Sequence, residues 1–163
     1  MTDVAIEQYA YVLKRAFDES EHSFVRNLQS TSPEHWTAIV AGQPFGRSIG
    51  YIAWHTVAAK HLYWDHAFGD RKLTGNYTGL GLTGRHRTLP EVIAYGRKWH
   101  EAWLHSLDPL TADDLESPTT AHWGEVVPMR RVIAAMIEHD LYHAGEINHL
   151  RAQLERNDGP PGG

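Results

Sequence analysis

Apolar residues recur at a period near 3.6 over four stretches of the chain, and no period-two pattern of comparable strength accompanies them. From Thr2 to about Leu28 they fall at Ile6, Tyr9, Ala10, Leu13, Ala16, Phe17, Phe24 and Leu28, one face of a single long helix. Ser30 to Gly46 holds Ser32, Pro33, Gly42, Pro44 and Gly46 and reads as a connection with a helical turn after Pro33. A second helix is predicted from about Ser48 to Phe68, with Ile49, Ile52, Ala53, Ala59, Leu62, Tyr63 and His66 on a shared face. Glycines at 69, 75, 79, 81 and 84 then mark a long loop. Thr88 and Glu91 form a capping box around Leu89 and Pro90, which starts a third helix reaching about Leu107. Asp108 to Val127, with Pro109 and Pro118, reads as a second long connection carrying Trp123 near its end. Pro128 opens the last helix, whose stripe is Val132, Met136, His139, His143, Glu146, Ile147, Leu150 and Leu154. Asn157, Asp158, Gly159 and Pro160 predict a left-handed cap followed by a helix breaker. The expected architecture is an all-α four-helix bundle with connections long enough to cross over, one domain over residues 1–158 with a frayed tail at 159–163.

Composition narrows the function classes. The length of 163 residues suits one domain, and 42% hydrophobic with 21% charged residues is ordinary for a soluble fold. A net charge of -5 with scattered basic residues gives no footprint for nucleic acid. No uncharged apolar run approaches the roughly 18 residues of a transmembrane helix, and the first residues lack the basic start and apolar run of a signal peptide, so a cytoplasmic location is expected. The chain has no cysteine, which excludes disulfides, protein thiolate nucleophiles and thiolate metal ligands together. Its 12 histidines point the other way, because imidazole is the commonest metal ligand.

The last helix locates that chemistry. His139 and His143 differ by about 40° around the axis and sit one turn apart, on the same face as the apolar stripe. Two imidazoles and the carboxylate of Glu146 are therefore aimed at the bundle interior, where unpartnered polar groups cost several kcal/mol and a shared metal ion satisfies them. His55, on the buried face of the second helix near Ile52, Ala59 and Leu62, supplies the third ligand. His66 lies eleven residues further on, about 16 Å along the axis, and His61 is rotated by about 240°, so neither reaches the same ion. Three neutral nitrogens with an open position describe a catalytic site more than a sealed structural one.

His139 to His143 is also one methylene short of the zinc-protease pattern H-E-x-x-H, with Asp140 in the general-base position. A third ligand at His149 would need the helix to break near Gly145, yet the stripe continues through Leu154. A ferritin-like di-iron site would pair Glu19 with His22 and Glu146 with His149, but the first pair flanks the stripe and the second helix has no Glu.

The segments SIGYIAWHTVAAKHLYW and MIEHDLYHAGEINHLRAQL resemble the DinB/YfiT-like superfamily, in particular its DUF664-type members, over essentially the whole chain. That resemblance implies a four-helix bundle in which His55, His139 and His143 hold one divalent metal ion. Zinc, nickel, iron and copper all accept such a set. Many relatives have Gln where this chain has Glu146, which leaves Glu146 as a fourth ligand, a general base or an orienter of His143. Characterised relatives include enzymes that use a low-molecular-weight thiol as cosubstrate, so the resemblance implies a metal-dependent thiol transferase or isomerase. Trp54, Tyr63, Trp123 and Tyr142 would wall its apolar pocket. Metal-assisted hydrolysis, with Glu146 or Asp140 accepting a proton from water, and non-catalytic metal binding are the alternatives. A small-molecule substrate and a homodimer are the expected partners.

Overall fold

The helical period holds through most of the chain and breaks where short polar side chains offer the backbone a local alternative. A computed structural model describes residues 4–40, 47–74 and 87–158. Helix α1 (Val4–Lys14) passes into a π-helical turn over Arg15–Glu19 and stops at Ser20, whose backbone is extended. Helix α2 (Phe24–Gln29) restarts because the Ser23 hydroxyl accepts from the Arg26 backbone N–H. The single helix expected from Thr2 to Leu28 is therefore two. Phe17, Phe24 and Leu28 are all fully buried on either side of the break, so the apolar phase survives it and periodicity alone did not reveal it.

Pro33–His35 forms the expected turn, of 3-10 type. Helix α3 (Ile49–Ala67) starts on Ser48, which accepts from Tyr51 N–H, and α4 (Leu89–Leu107) starts on a complete capping box between Thr88 and Glu91. Residues 75–86, most of the predicted glycine loop, lie outside the described residues, as does the tail at 159–163. The connection before the last helix is more structured than its prolines suggested. It contains α5 (Ala112–Glu116), capped by Thr111 and Asp114, and an antiparallel pair of β1 (Pro118–Thr120) with β2 (Val126–Pro128). Strands of three residues are too short to show alternation. Gly124, at φ 92°, takes the left-handed conformation in the turn between them. Helix α6 (Met129–Asn157) follows directly and ends with Asp158 in right-handed geometry; Gly159 and Pro160, the rest of the predicted cap and breaker, lie outside the described residues.

Helix α3 packs against both α4 and α6, and α6 also meets α1 and α2. The α3–α4 approach is close at Gly96, where a Cβ would lie 2.7 Å from Cγ1 of Val57. Two apolar clusters make the core. One gathers Ile52, Ala53, Val57, Ala144, Ile147 and Leu150, the other Leu13, Trp103, Leu107, Val132, Ile133 and Met136. On α6 the apolar residues up to Ile137 belong to one cluster and those from Ala144 to the other. The turn between them carries His139, Asp140 and His143, a polar belt across the core. Among the described residues no helix is long and apolar enough to cross a membrane.

Candidate metal centre

Three imidazoles converge at this belt. The rings of His139 and His143 are 4.5 Å apart, and the ring of His55, arriving from α3, lies 5.3 Å from His139 and 5.0 Å from His143. One nitrogen from each lies within 4.8 Å of the other two, and no other three histidine or carboxylate side chains converge in this way among the described residues. His143 is 5% exposed, and His55 and His139 are half-buried.

All three rings are held uncharged. Burial, followed by the neighbouring His143 and His55 rings, pushes His139 down to about 2. Burial, then His143 and Arg47, takes His55 to about 4. His143 is also lowered by burial, and the hydrogen bond to Glu146 opposes the shift. Neutral imidazoles keep the lone pairs that a cation needs. His139 moreover buries its Nδ1 with no hydrogen-bond partner. A donor set of three neutral imidazoles, one with an orphaned buried nitrogen, fits a divalent ion of borderline softness.

The two carboxylates have separate places. Oε2 of Glu146 accepts a hydrogen bond from Nδ1 of His143 at 2.8 Å, across one turn of α6. That bond makes Nδ1 the protonated nitrogen of His143 and leaves Nε2 as the ring's lone-pair donor, the arrangement of an orienting carboxylate. Asp140 does not join the triad. It is fully buried and its Oδ2 accepts from Nζ of Lys60 at 2.6 Å, a lysine that is itself fully buried on α3. The Glu of H-E-x-x-H holds the same angular position, about 100° from the first histidine, so what separates Asp140 from that pattern is its partner: its carboxylate is sealed on Lys60 and does not face the triad.

Three of the four aromatic residues expected around a pocket line one open cavity of about 320 Å³, together with His139, Ala135, Arg131 and Glu138: Tyr63, Trp123 and Tyr142. Arg131 and Glu138 pair at 3.1 Å. Trp54 is elsewhere. It is rotated by one residue from His55 and packs in the core against Tyr95, with the Arg87 guanidinium over its ring. Excluded histidines stay apart from the triad: His61 stacks on Trp99 and bonds the Tyr95 hydroxyl, His66 donates to the Leu73 carbonyl, and His149 is exposed. Glu19 and His22 are exposed too, so no di-iron pair forms there.

Sequence reasoning missed Lys60, His100 and His122. Lys60 lies on the buried face, four residues after Thr56, and its position there was a usable signal. His100 continues the stripe Val92, Gly96, Trp103 and Leu107 of α4 and is 8% exposed. His122, whose ring lies 4.1 Å from Tyr63, sits in the turn between β1 and β2, where no periodicity could mark it.

A sequence profile described as the DinB superfamily matches residues 16–147. Among solved structures, a DinB-like protein from Bacillus cereus is similar at a TM-score of 0.66 and 19% identity, covering 94% of this chain and 93% of its own. A DinB-like protein from Bacillus subtilis is similar at 0.63 and 14% identity, covering 94% of this chain and 96% of its own. No curated protein matches the chain.

Proposed function

The chain belongs to the DinB superfamily, and from that premise we propose that it binds one divalent metal ion through His55, His139 and His143 and uses it to activate a low-molecular-weight thiol. The observation that carries this reading is the convergence of three uncharged imidazoles beside an open, aromatic-walled cavity. Zinc, nickel or iron would suit the donor set. An ion held there supplies Lewis acidity and lowers the pKa of a thiol or water bound to it. Glu146 holds the His143 ring in position, and Tyr63, Trp123 and Tyr142 offer apolar walls to an electrophile. Because the chain has no cysteine, the thiol nucleophile has to come from a cosubstrate.

Hydrolysis is the second reading, and it has one carboxylate to draw on. Asp140 is sealed from solvent on Lys60, which leaves Glu146, already accepting from His143 through Oε2, to take a proton from water. Elemental analysis of untagged protein beside His143→Ala tests the metal. About one ion per chain in the first and little in the second is expected, and equal or absent metal in both overturns the reading. Bacillithiol or mycothiol with a model electrophile then tests the chemistry. Conjugation lost in His55→Ala supports transfer. Turnover without thiol supports hydrolysis, and inactivity of metal-loaded protein across a broad panel leaves metal binding alone.

A further inference from the structure

Lys60 and Asp140 are both fully buried, joined by a 2.6 Å hydrogen bond, and placed on the two helices that carry the triad. Burying two charges costs more free energy than apolar side chains of similar volume would, so such a pair is poor evidence for stability. What it supplies is direction. The surrounding contacts are largely apolar, with the His100 ring and the triad as polar neighbours: Phe17 lies beneath the ammonium at 4.8 Å, His100 stacks on Phe17, and the core clusters continue on both sides. Apolar contact is non-directional and tolerates a helix sliding or rotating by a fraction of a turn. A short charge-assisted bond does not.

The placement makes that direction useful. His55 on α3 meets His139 and His143, while Lys60, five residues further along α3, meets Asp140, and Tyr63 beyond it reaches back to His139 at 5.7 Å. The two helices run antiparallel here. Asp140 follows His139 directly and precedes His143 by three residues, on a face about 100° from the first ring. Two contacts on different faces of one helix turn fix its rotation as well as its height. The carbonyl of Lys60 accepts from Nε1 of the fully buried Trp103, which anchors the α3 end of the pair to α4.

We propose that Lys60 and Asp140 are positioning residues of the metal centre, a clamp that sets the rotation and register of α6 against α3 at which His139 and His143 meet His55. The metal part of this inference rests on the function proposed above. The clamp itself does not.

Two arms test it. In the first, apo protein is titrated with Co2+ in the wild type and in a Lys60→Met/Asp140→Leu double variant. The substitutions remove a pair of zero net charge and leave the cavity filled. The double variant is expected to unfold in urea at or above the wild-type midpoint, to bind Co2+ at least tenfold more weakly, and to show altered d–d bands. A stable double variant with wild-type affinity and spectrum overturns the proposal. If the double variant does not fold, Asp140→Glu takes its place. It keeps both charges and displaces the pair by a methylene, and the same loss of affinity with changed bands is expected, with unchanged values again fatal.

The second arm needs no metal and exploits the absence of native cysteines. His55→Cys/His143→Cys protein is treated with dibromobimane, which becomes fluorescent when it bridges two nearby thiols. Adding the Lys60 and Asp140 replacements is expected to slow bridging at least tenfold, and equal rates overturn the clamp. Should wild-type protein take up no Co2+, the metal reading falls by itself while this arm still decides the clamp.

Discussion

Two polar clusters share the α3–α6 seam, and they are satisfied in opposite ways. Lys60 and Asp140 are sealed at 0% side-chain exposure and answer each other across 2.6 Å. The triad, within the same two turns, is three groups of one kind, held neutral by burial and opening through His139 onto a cavity. The first cluster has both of its charges answered within the protein. The second includes Nδ1 of His139, which has no hydrogen-bond partner; other buried nitrogens, such as Nδ1 of His100 and Nε1 of Trp54, share that lack, so it is the convergence of three imidazoles on one point that marks a place for a ligand. The contrast is one of charge and not of complete hydrogen bonding, because Oδ1 of Asp140 also lacks a partner. Its second oxygen is nonetheless tied to an ammonium, and in the triad the corresponding contact is the one from Nδ1 of His143 to Glu146.

The sharpest way to break the comparison is to remove one member of each cluster from the metal-free protein. Lys60→Met leaves a buried carboxylate without its cation and is expected to cost about 3–5 kcal/mol in urea unfolding. His139→Leu removes a group with an unsatisfied nitrogen, so a change under about 1 kcal/mol, or a small gain, is expected. Equal losses in the two variants would show that the triad is as firmly part of the apo fold as the ion pair.

The same contrast explains what was legible in the sequence. His55, His139 and His143 could be selected because a helix turns spacing into angle, and polar residues on an apolar stripe stand out against it. Starts at Ser48, Thr88 and Pro128 were legible for a related reason, since caps are local. Asp140 was seen and given the wrong neighbour: spacing within one helix cannot say which side chain a facing helix presents, and the one signal for Lys60, its place four residues after Thr56 on the buried face, does not name its partner. Trp54 failed in the same way, one residue from His55 but turned toward Tyr95. The break at Ser20 and the β1–β2 pair left no periodic trace because one preserves the apolar phase and the other is too short to establish one.

A smaller effect tests how the triad is supported. Glu146→Ala removes the acceptor for Nδ1 of His143 and frees the ring to rotate, with a loss of metal affinity of about 10- to 100-fold expected from substitutions at such supporting groups. Glu146→Gln keeps an acceptor oxygen and should recover most of that loss in a competition titration with a chromophoric chelator. If Gln is as damaging as Ala, the charge of Glu146 matters directly and the group acts as a ligand or base and not as an orienter.

The smallest effect concerns protons. An ordinary imidazole titrates near 6.5, so three of them would carry about two protons at pH 6 and release them on binding a metal. His139, near 2, and His55, near 4, are already neutral at that pH, and His143 is lowered as well. Calorimetric titration at pH 6 in buffers of different ionisation enthalpy should therefore give nearly the same heat in each. The linked effect on the apo fold has a definite sign. A histidine whose folded pKa is depressed contributes stability that is present above 6.5 and is lost as the pH falls, through about 4 for His55 and onward toward 2 for His139, because the unfolded chain takes up the proton first. Release of two protons at pH 6, or an apo protein that gains stability between pH 6.5 and 4, would mean that the triad is solvated and charged. The distinction between a sealed pair and a neutral, ligand-ready triad would then fail at its second half.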